Sequence, residues 1–171
     1  MSEIIKVKLP ELVKVLMSIK GATPATFTAV TDVKMNKRNN PFYGEVTKEQ
    51  VSNVFINFNY ANAINKQRVK EGKEADFVPH ERKWGVRVPG TPLILHKNNY
   101  YLEARFLKNE PKVVYKHNGS EIDKSVLEAY MPAKRKVASQ NLENDIIIRD
   151  FKISNIRSIK FGGKTYVRTD V

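Results

Sequence analysis

From Thr26 to Met35 the side chains alternate, with Phe27, Ala29, Val33 and Met35 on one face and Thr28, Asp32 and Lys34 on the other. A period of two suits a strand with one buried and one wet face, and no helix can satisfy it. The pattern returns between Glu45 and Phe58, where Val54, Ile56 and Phe58 alternate with Asn53, Phe55 and Asn57. It returns again as a hairpin: Leu93 to Lys97, a turn at Asn98-Asn99, then Tyr100 to Phe106. Tyr100, Leu102, Ala104 and Phe106 are expected to face the core, leaving Tyr101, Glu103 and Arg105 outside. More strands are expected at Lys112 to Tyr115, before a His117-Asn118-Gly119 turn, at Ile146 to Ile148, at Ile153 to Phe161, and at Thr165 to Arg168 after a Gly162-Gly163 turn. The chain is therefore read as β-rich α+β, an antiparallel sheet or a partly open barrel with two or three short helices.

The helices announce themselves by their ends. Pro10 to Gly21 has proline in its first turn, apolar residues on more than one face and glycine at its stop, so it reads as a buried helix covering a sheet or plugging a barrel. A second starts at the capping residue Asn59 and stops at Gly72, and a short third spans Asp123 to Tyr130, before Pro132. The 171 residues suit one domain, 1–171, with a polar stretch at 133–144 as a flexible linker opened by Lys134-Arg135-Lys136.

Charge narrows the partners. The chain has 30 Lys+Arg against 18 Asp+Glu, a formal +12, distributed as +3 over residues 1–60, +6 over 61–120 and +3 over 121–171. The field belongs to the whole domain and attracts nucleic acid, anionic membranes or acidic proteins alike. With no cysteine, a disulfide scaffold and a thiolate zinc site are excluded. Met1 to Leu9 lacks the continuous apolar core of a signal peptide, no stretch reaches membrane-spanning length, and no membrane partner is expected.

Between Asn36 and Phe106 cations, aromatics and asparagines are interleaved on expected strands and loops. Cations neutralise phosphates, aromatic faces stack on bases and amides bond base edges, a combination that suits an unpaired nucleic-acid strand, DNA or RNA. The candidate phosphate contacts are Lys37, Arg38, Lys66, Arg68, Arg82, Lys83, Arg87 and Arg105; the candidate stacking residues are Phe42, Tyr43, Phe55, Trp84 and Tyr101. Each has a plainer reading. Phe55 between two asparagines also fits a second buried layer, Trp84 a core anchor, and the lysines of the second helix a solvated face balanced by Glu71 and Glu74.

Catalytic chemistry is hard to find. His80, His96 and His117 are spaced too widely for a metal-ligand motif, and there is no P-loop, dinucleotide fingerprint or serine or cysteine nucleophile motif. A metal-dependent nuclease would have to use Asp76, Glu103 and Arg105, where arginine stands at a position that wants lysine. The expectation is no catalytic residue, no metal and no cofactor.

Asn40-Pro41-Phe42-Tyr43-Gly44, Tyr60-Ala61-Asn62-Ala63-Ile64-Asn65, Glu71-Gly72, Asp76-Phe77, Trp84-Gly85 and Tyr101-Leu102 resemble small basic proteins of tailed phages, over roughly residues 36 to 107, with a weaker echo at Asn155 to Ile159. The resemblance implies a phage origin and with it the cytoplasm of an infected bacterial host; phage replication proteins are the protein partners expected for a single-strand binder there. The expected architecture is also similar to OB-fold single-stranded-DNA-binding proteins, which implies an OB-like barrel and a role in replication or recombination. The final Arg168-Thr169-Asp170-Val171 lacks the acidic recruiting tail of many such proteins. A module binding an acidic host or phage protein is the alternative.

Overall fold

The computed structural model describes residues 3–36, 40–78, 85–106, 111–131, 140–141 and 147–171. It is a β-rich α+β fold built on one large, mostly antiparallel open sheet. In chain order the elements are β1 (Glu3–Val7), α1 (Leu9–Met17), β2 (Thr23–Asp32), β3 (Val46–Ile56), α2 (Tyr60–Lys70), β4 (Val86–Arg87), β5 (Leu93–His96), β6 (Asn99–Phe106), β7 (Lys112–His117), β8 (Ser120–Ile122), α3 (Lys124–Leu127), β9 (Gln140–Asn141), β10 (Ile147–Lys152), β11 (Ile156–Phe161) and β12 (Lys164–Arg168).

The main path of the sheet runs β1-β12-β11-β2-β3-β6-β10-β9. Only β1 and β12 pair in parallel among the described strands. β3 is long enough to serve three neighbours: β2 lies along one edge, while the other is divided between β7, along Val46–Val51, and β6, along Val54–Ile56. β6 likewise divides an edge between β5 and β3. Among the described strands the path ends at β1 and β9 without closing, so the chain shows the open antiparallel sheet of the expected β-rich α+β class.

The main core lies on one face. Ala25, Phe27 and Ala29 of β2, Val54 and Ile56 of β3, Leu102 and Ala104 of β6 and Ile159 of β11 pack there with Leu12 and Leu16 of α1. Burying such side chains drives folding at about 1.5–3 kcal/mol each. Tyr100 and Phe106 join from its margin, as the alternation of β6 predicts. The opposite face carries a smaller cluster, in which Ile64 of α2 meets Ile148 of β10 with Phe58 and Phe77 beside them.

Several local expectations need correcting. The β5–β6 hairpin turns at Lys97-Asn98, not Asn98-Asn99: His96 pairs with Asn99, and Lys97 and Asn98 take φ of 46° and 64°, as a tight two-residue turn requires. Ile153–Asn155 forms a single 3-10 turn, so only Ile156–Phe161 is strand. Glu3–Val7 and Val86–Arg87, which sequence patterning did not mark, are short strands held by their neighbours. The stretch read as a linker lies largely outside the described residues, although Gln140–Asn141 pairs with β10.

Gly85 enters β4 against β5, where an added Cβ would lie 2.7 Å from Ile94 Cγ2 and 3.2 Å from the Leu95 carbonyl oxygen. Gly85→Ala is expected to cost about 1–3 kcal/mol through this crowding, read as a melting temperature lowered by several degrees; an unchanged transition would count against close packing here.

Candidate nucleic-acid interface

The face opposite the main core divides into a covered part and an open part. Cover begins at the row Phe55–Arg105–Ile148, across β3, β6 and β10. Asn57, at φ 55°, ends the alternation of β3. Phe58, expected in the core, therefore lies beside Phe55, the rings stacked at 6.3 Å and 27°. The Arg105 guanidinium lies over both, 5.6 Å from Phe55 and 4.8 Å from Phe58. Of the two readings of Phe55, the geometry matches the second buried layer: α2 brings Ile64 down onto Ile148 next to this stack. A cation held over aromatic faces contributes about 0.5–2 kcal/mol and is not free to chase phosphates.

Neighbouring residues are similarly engaged. Glu103 faces the same way as Arg105 but is only 6% exposed, and it pairs with Arg87, whose guanidinium also donates to the Thr91 carbonyl. Arg68 pairs with Asp76 and lies 5.5 Å from the Phe77 ring centre. Asn65 pins the same segment: its amide nitrogen donates to the Phe77 carbonyl at 3.2 Å, and its oxygen accepts the Phe77 N–H at 2.9 Å. Phe42 is half-buried, edge-on to His117 and Tyr130. Tyr101 is half-buried with His96 edge-on at 6.4 Å, while Tyr43 is 53% exposed and Lys66 is exposed on α2. Lys37, Arg38, Arg82, Lys83 and Trp84 lie outside the described residues.

The acidic set considered for a nuclease is therefore tied up in ion pairs, Asp76 with Arg68 and Glu103 with Arg87. Among the described residues no three His, Asp or Glu side chains gather in a way that could hold a metal ion. No helix among them is long and apolar enough to cross a membrane.

The open part lies over β1, β12, β11, β2 and β3, and two rows of side chains cross it. Strand register lines up Ile4, Thr165, Lys160, Thr26 and Asn53 in one row. The next contains Lys6, Val167, Ser158, Thr28, Val51 and, on β7, Lys112. Five strands at about 4.8 Å spacing make this surface roughly 19 Å wide. Neither row contains a carboxylate; the nearest of the following β3–β7 pairs introduces Glu49, which forms an ion pair with Lys116 at 3.4 Å. Lys6, Lys112 and Lys160 are exposed and form no ion pair with a described residue. Thr26 donates its hydroxyl to Asn53 Oδ1 at 2.7 Å, leaving the exposed Asn53 amide nitrogen without a partner among the described residues.

Sequence reasoning missed these rows as a site. Its signals were Thr28 on the wet face of β2 and the cations of the last hairpin, but only register shows that they adjoin. Compared with known proteins, the chain matches no family model, no curated protein and no solved structure.

Proposed function

We propose that the protein binds single-stranded nucleic acid, with the phosphodiester backbone lying across the two open rows. The observation that carries this reading is their composition: the hydroxyls of Thr28 and Ser158, the Asn53 amide nitrogen, and the ammonium groups of Lys6, Lys160 and Lys112, with no carboxylate in either row. Such donors suit phosphate oxygens, and the overall +12 supplies long-range attraction. Neither α1 nor α2 stands out of these rows to enter a duplex groove, so an unpaired strand lying flat is the partner that fits. The resemblance to basic phage proteins supports a phage origin, and the binding is read on that basis as serving phage replication or recombination in the cytoplasm of an infected bacterium.

Fluorescence titration with a labelled single strand and with the matching duplex, at several salt concentrations, tests the reading. The single strand is expected to bind more tightly, with a slope of log affinity against log salt of about −2 for three lysine contacts. Equal binding to both, wholly suppressed by salt, would reduce the +12 to an indiscriminate charged surface.

One observation favours the other reading, a protein-interaction module. The outer edge of β1 has no neighbour among the described strands, and Ile4 on it is 68% exposed, which suits a strand added by a partner chain. Pull-down from host lysate after nuclease treatment separates the two, because partners bridged by nucleic acid disappear while direct ones remain.

A further inference from the structure

The outer edge of β1 presents a small, countable set of backbone groups. In a parallel pair, alternate residues turn both main-chain groups toward the neighbouring strand. Here the Glu3 N–H donates to the Gly163 carbonyl, and the Val7 carbonyl accepts the Thr169 N–H. Glu3, Ile5 and Val7 therefore face β12, and the N–H and carbonyl groups of Ile4 and Lys6 point away from the sheet. The outward set stops at Lys8, whose N–H donates to Glu11 and whose carbonyl accepts the Leu12 N–H at the start of α1. β1 has neither a proline nor a bulge to guard this edge, and no described strand covers it.

The strand Glu-Ile-Ile-Lys-Val carries one acid and one base, so a strongly charged partner finds no excess of opposite charge here, unlike on the open rows. A second copy of the same strand fits it. Laid antiparallel about a two-fold axis that passes through Ile5 perpendicular to the sheet, two β1 strands set Ile4 of each opposite Lys6 of the other. Opposed antiparallel residues of this kind exchange two hydrogen bonds, so the two pairs make four bonds and use every outward group of both copies. Centring the axis on Lys6 would set Ile4 against Lys8, whose backbone is already engaged, and centring it on Ile4 would carry Lys6 past the end of the other β1. The faces also agree. Ile5, half-buried at the margin of the main core, meets Ile5 of the other copy, and Ile4, 68% exposed on the open face, gains the aliphatic stem of Lys6 beside it.

We infer that the β1 edge is the contact between two copies of this chain, joined β1 to β1 in this register as one continuous sheet. The row that ends at Ile4 then runs on into the row that begins at Lys6 of the second copy, and the open surface becomes ten strands and about 43 Å wide. The pairing does not depend on what the rows bind.

Sedimentation of the full, nuclease-treated chain from low to high micromolar concentration tests it, with a reversible monomer–dimer equilibrium expected. Each copy carries +12, so association should strengthen as added salt screens the repulsion, the reverse of nucleic-acid binding. Ile4→Pro removes an outward N–H at an edge position where proline is tolerated, and should hold the chain monomeric. A second readout tolerates partial unfolding of that variant. The chain has no cysteine, so Ile5→Cys and Ile4→Cys each introduce a single thiol. Across the axis the two Ile5 positions have Cα atoms about 4.5 Å apart, within disulfide reach, while the two Ile4 positions are diagonal neighbours about 7–8 Å apart. Mild oxidation should therefore link Ile5→Cys several times faster than Ile4→Cys, although random collision would favour the more exposed Ile4 position.

Wild type that stays monomeric at every concentration and salt would overturn the pairing and return the edge to a chain of another sequence. Ile4→Pro dimerising as wild type does, or faster linking through Ile4→Cys than through Ile5→Cys, would overturn it equally. None of these results bears on single-strand binding, which the salt titration decides.

Discussion

Arg168→Ala is expected to lower stability by about 3 kcal/mol, the cost of stranding two carbonyl groups at about 1–3 kcal/mol each once their shared donor is gone. Arg168 is only 8% exposed at the end of β12. One guanidinium nitrogen donates to the carbonyls of Ser154 at 3.1 Å and Ile156 at 3.2 Å, and Nε donates to Asp170 Oδ1 at 2.7 Å. Asp170 Oδ2 in turn accepts the Leu9 N–H at 2.9 Å. A single side chain thus fastens the last strand to the turn between β10 and β11 and, through Asp170, to the first turn of α1. At about 2–4 °C per kcal/mol for a chain of this size, the melting temperature should fall by roughly 6–12 °C. Arg168→Lys should recover only part of this, since an ammonium lacks the planar fork that reaches three acceptors. Calorimetry of the three proteins would decide, and an alanine variant melting with wild type would remove Arg168 from this role.

The same clamp has an acid limit. The Arg168 hydrogen bond, followed by that from the Leu9 amide, lowers the Asp170 carboxyl from 3.8 to about 2. A depressed carboxyl stabilises the fold fully above its unfolded value, so its contribution is intact above 3.8 and is lost as the pH falls towards about 2. In Arg168→Ala the carboxyl should titrate nearer the ordinary value, which NMR of the Asp170 side chain would register.

Phe27→Ala should be still more damaging, at about 3–5 kcal/mol. The ring is 1% exposed in the middle of β2 and meets Phe151 edge-to-face at 4.8 Å and 70°. Phe151 in turn meets Phe106 at 5.9 Å, so a void at Phe27 loosens the line of rings joining β2 to β10 and β6. Small Ser52 stands opposite on β3 and hydrogen-bonds to Gln50 at 3.1 Å, leaving little side chain there to refill the space. Denaturant unfolding should show a lower midpoint with a similar slope. A loss below about 1 kcal/mol would place the ring outside the well-packed core.

Much of this fold can be read from period two. β2, β3 and β6 announce themselves, and the inward positions of β6 are those that alternation selects. What escapes the sequence is anything decided by a single dihedral or by a partner far along the chain. Asn57 at φ 55° sends Phe58 to the face opposite the main core, a change that no side-chain pattern records. β1 has two adjacent isoleucines and no clear alternation; it is a strand because β12 is beside it. Phe55 and Arg105 look exposed by alternation, and so they would be if α2 did not cover that part of the sheet. The open rows join residues as distant in sequence as Lys6, Ser158 and Thr28, whose adjacency depends on register, so hydroxyls of ordinary appearance carried no signal.

The pairing of β1 with β12 also bears on how the chain is made. Glu3 stands beside Lys164 and Val7 beside Arg168, so β1 leaves the ribosome long before β12 and cannot dock until β12 has emerged. Throughout translation Ile4 and Ile5 lack their native neighbours, and closing so long a loop makes this one of the costlier contacts to form. This margin of the sheet should therefore be the last to acquire protection from hydrogen exchange during refolding, well after the β2–β3 pair at its centre.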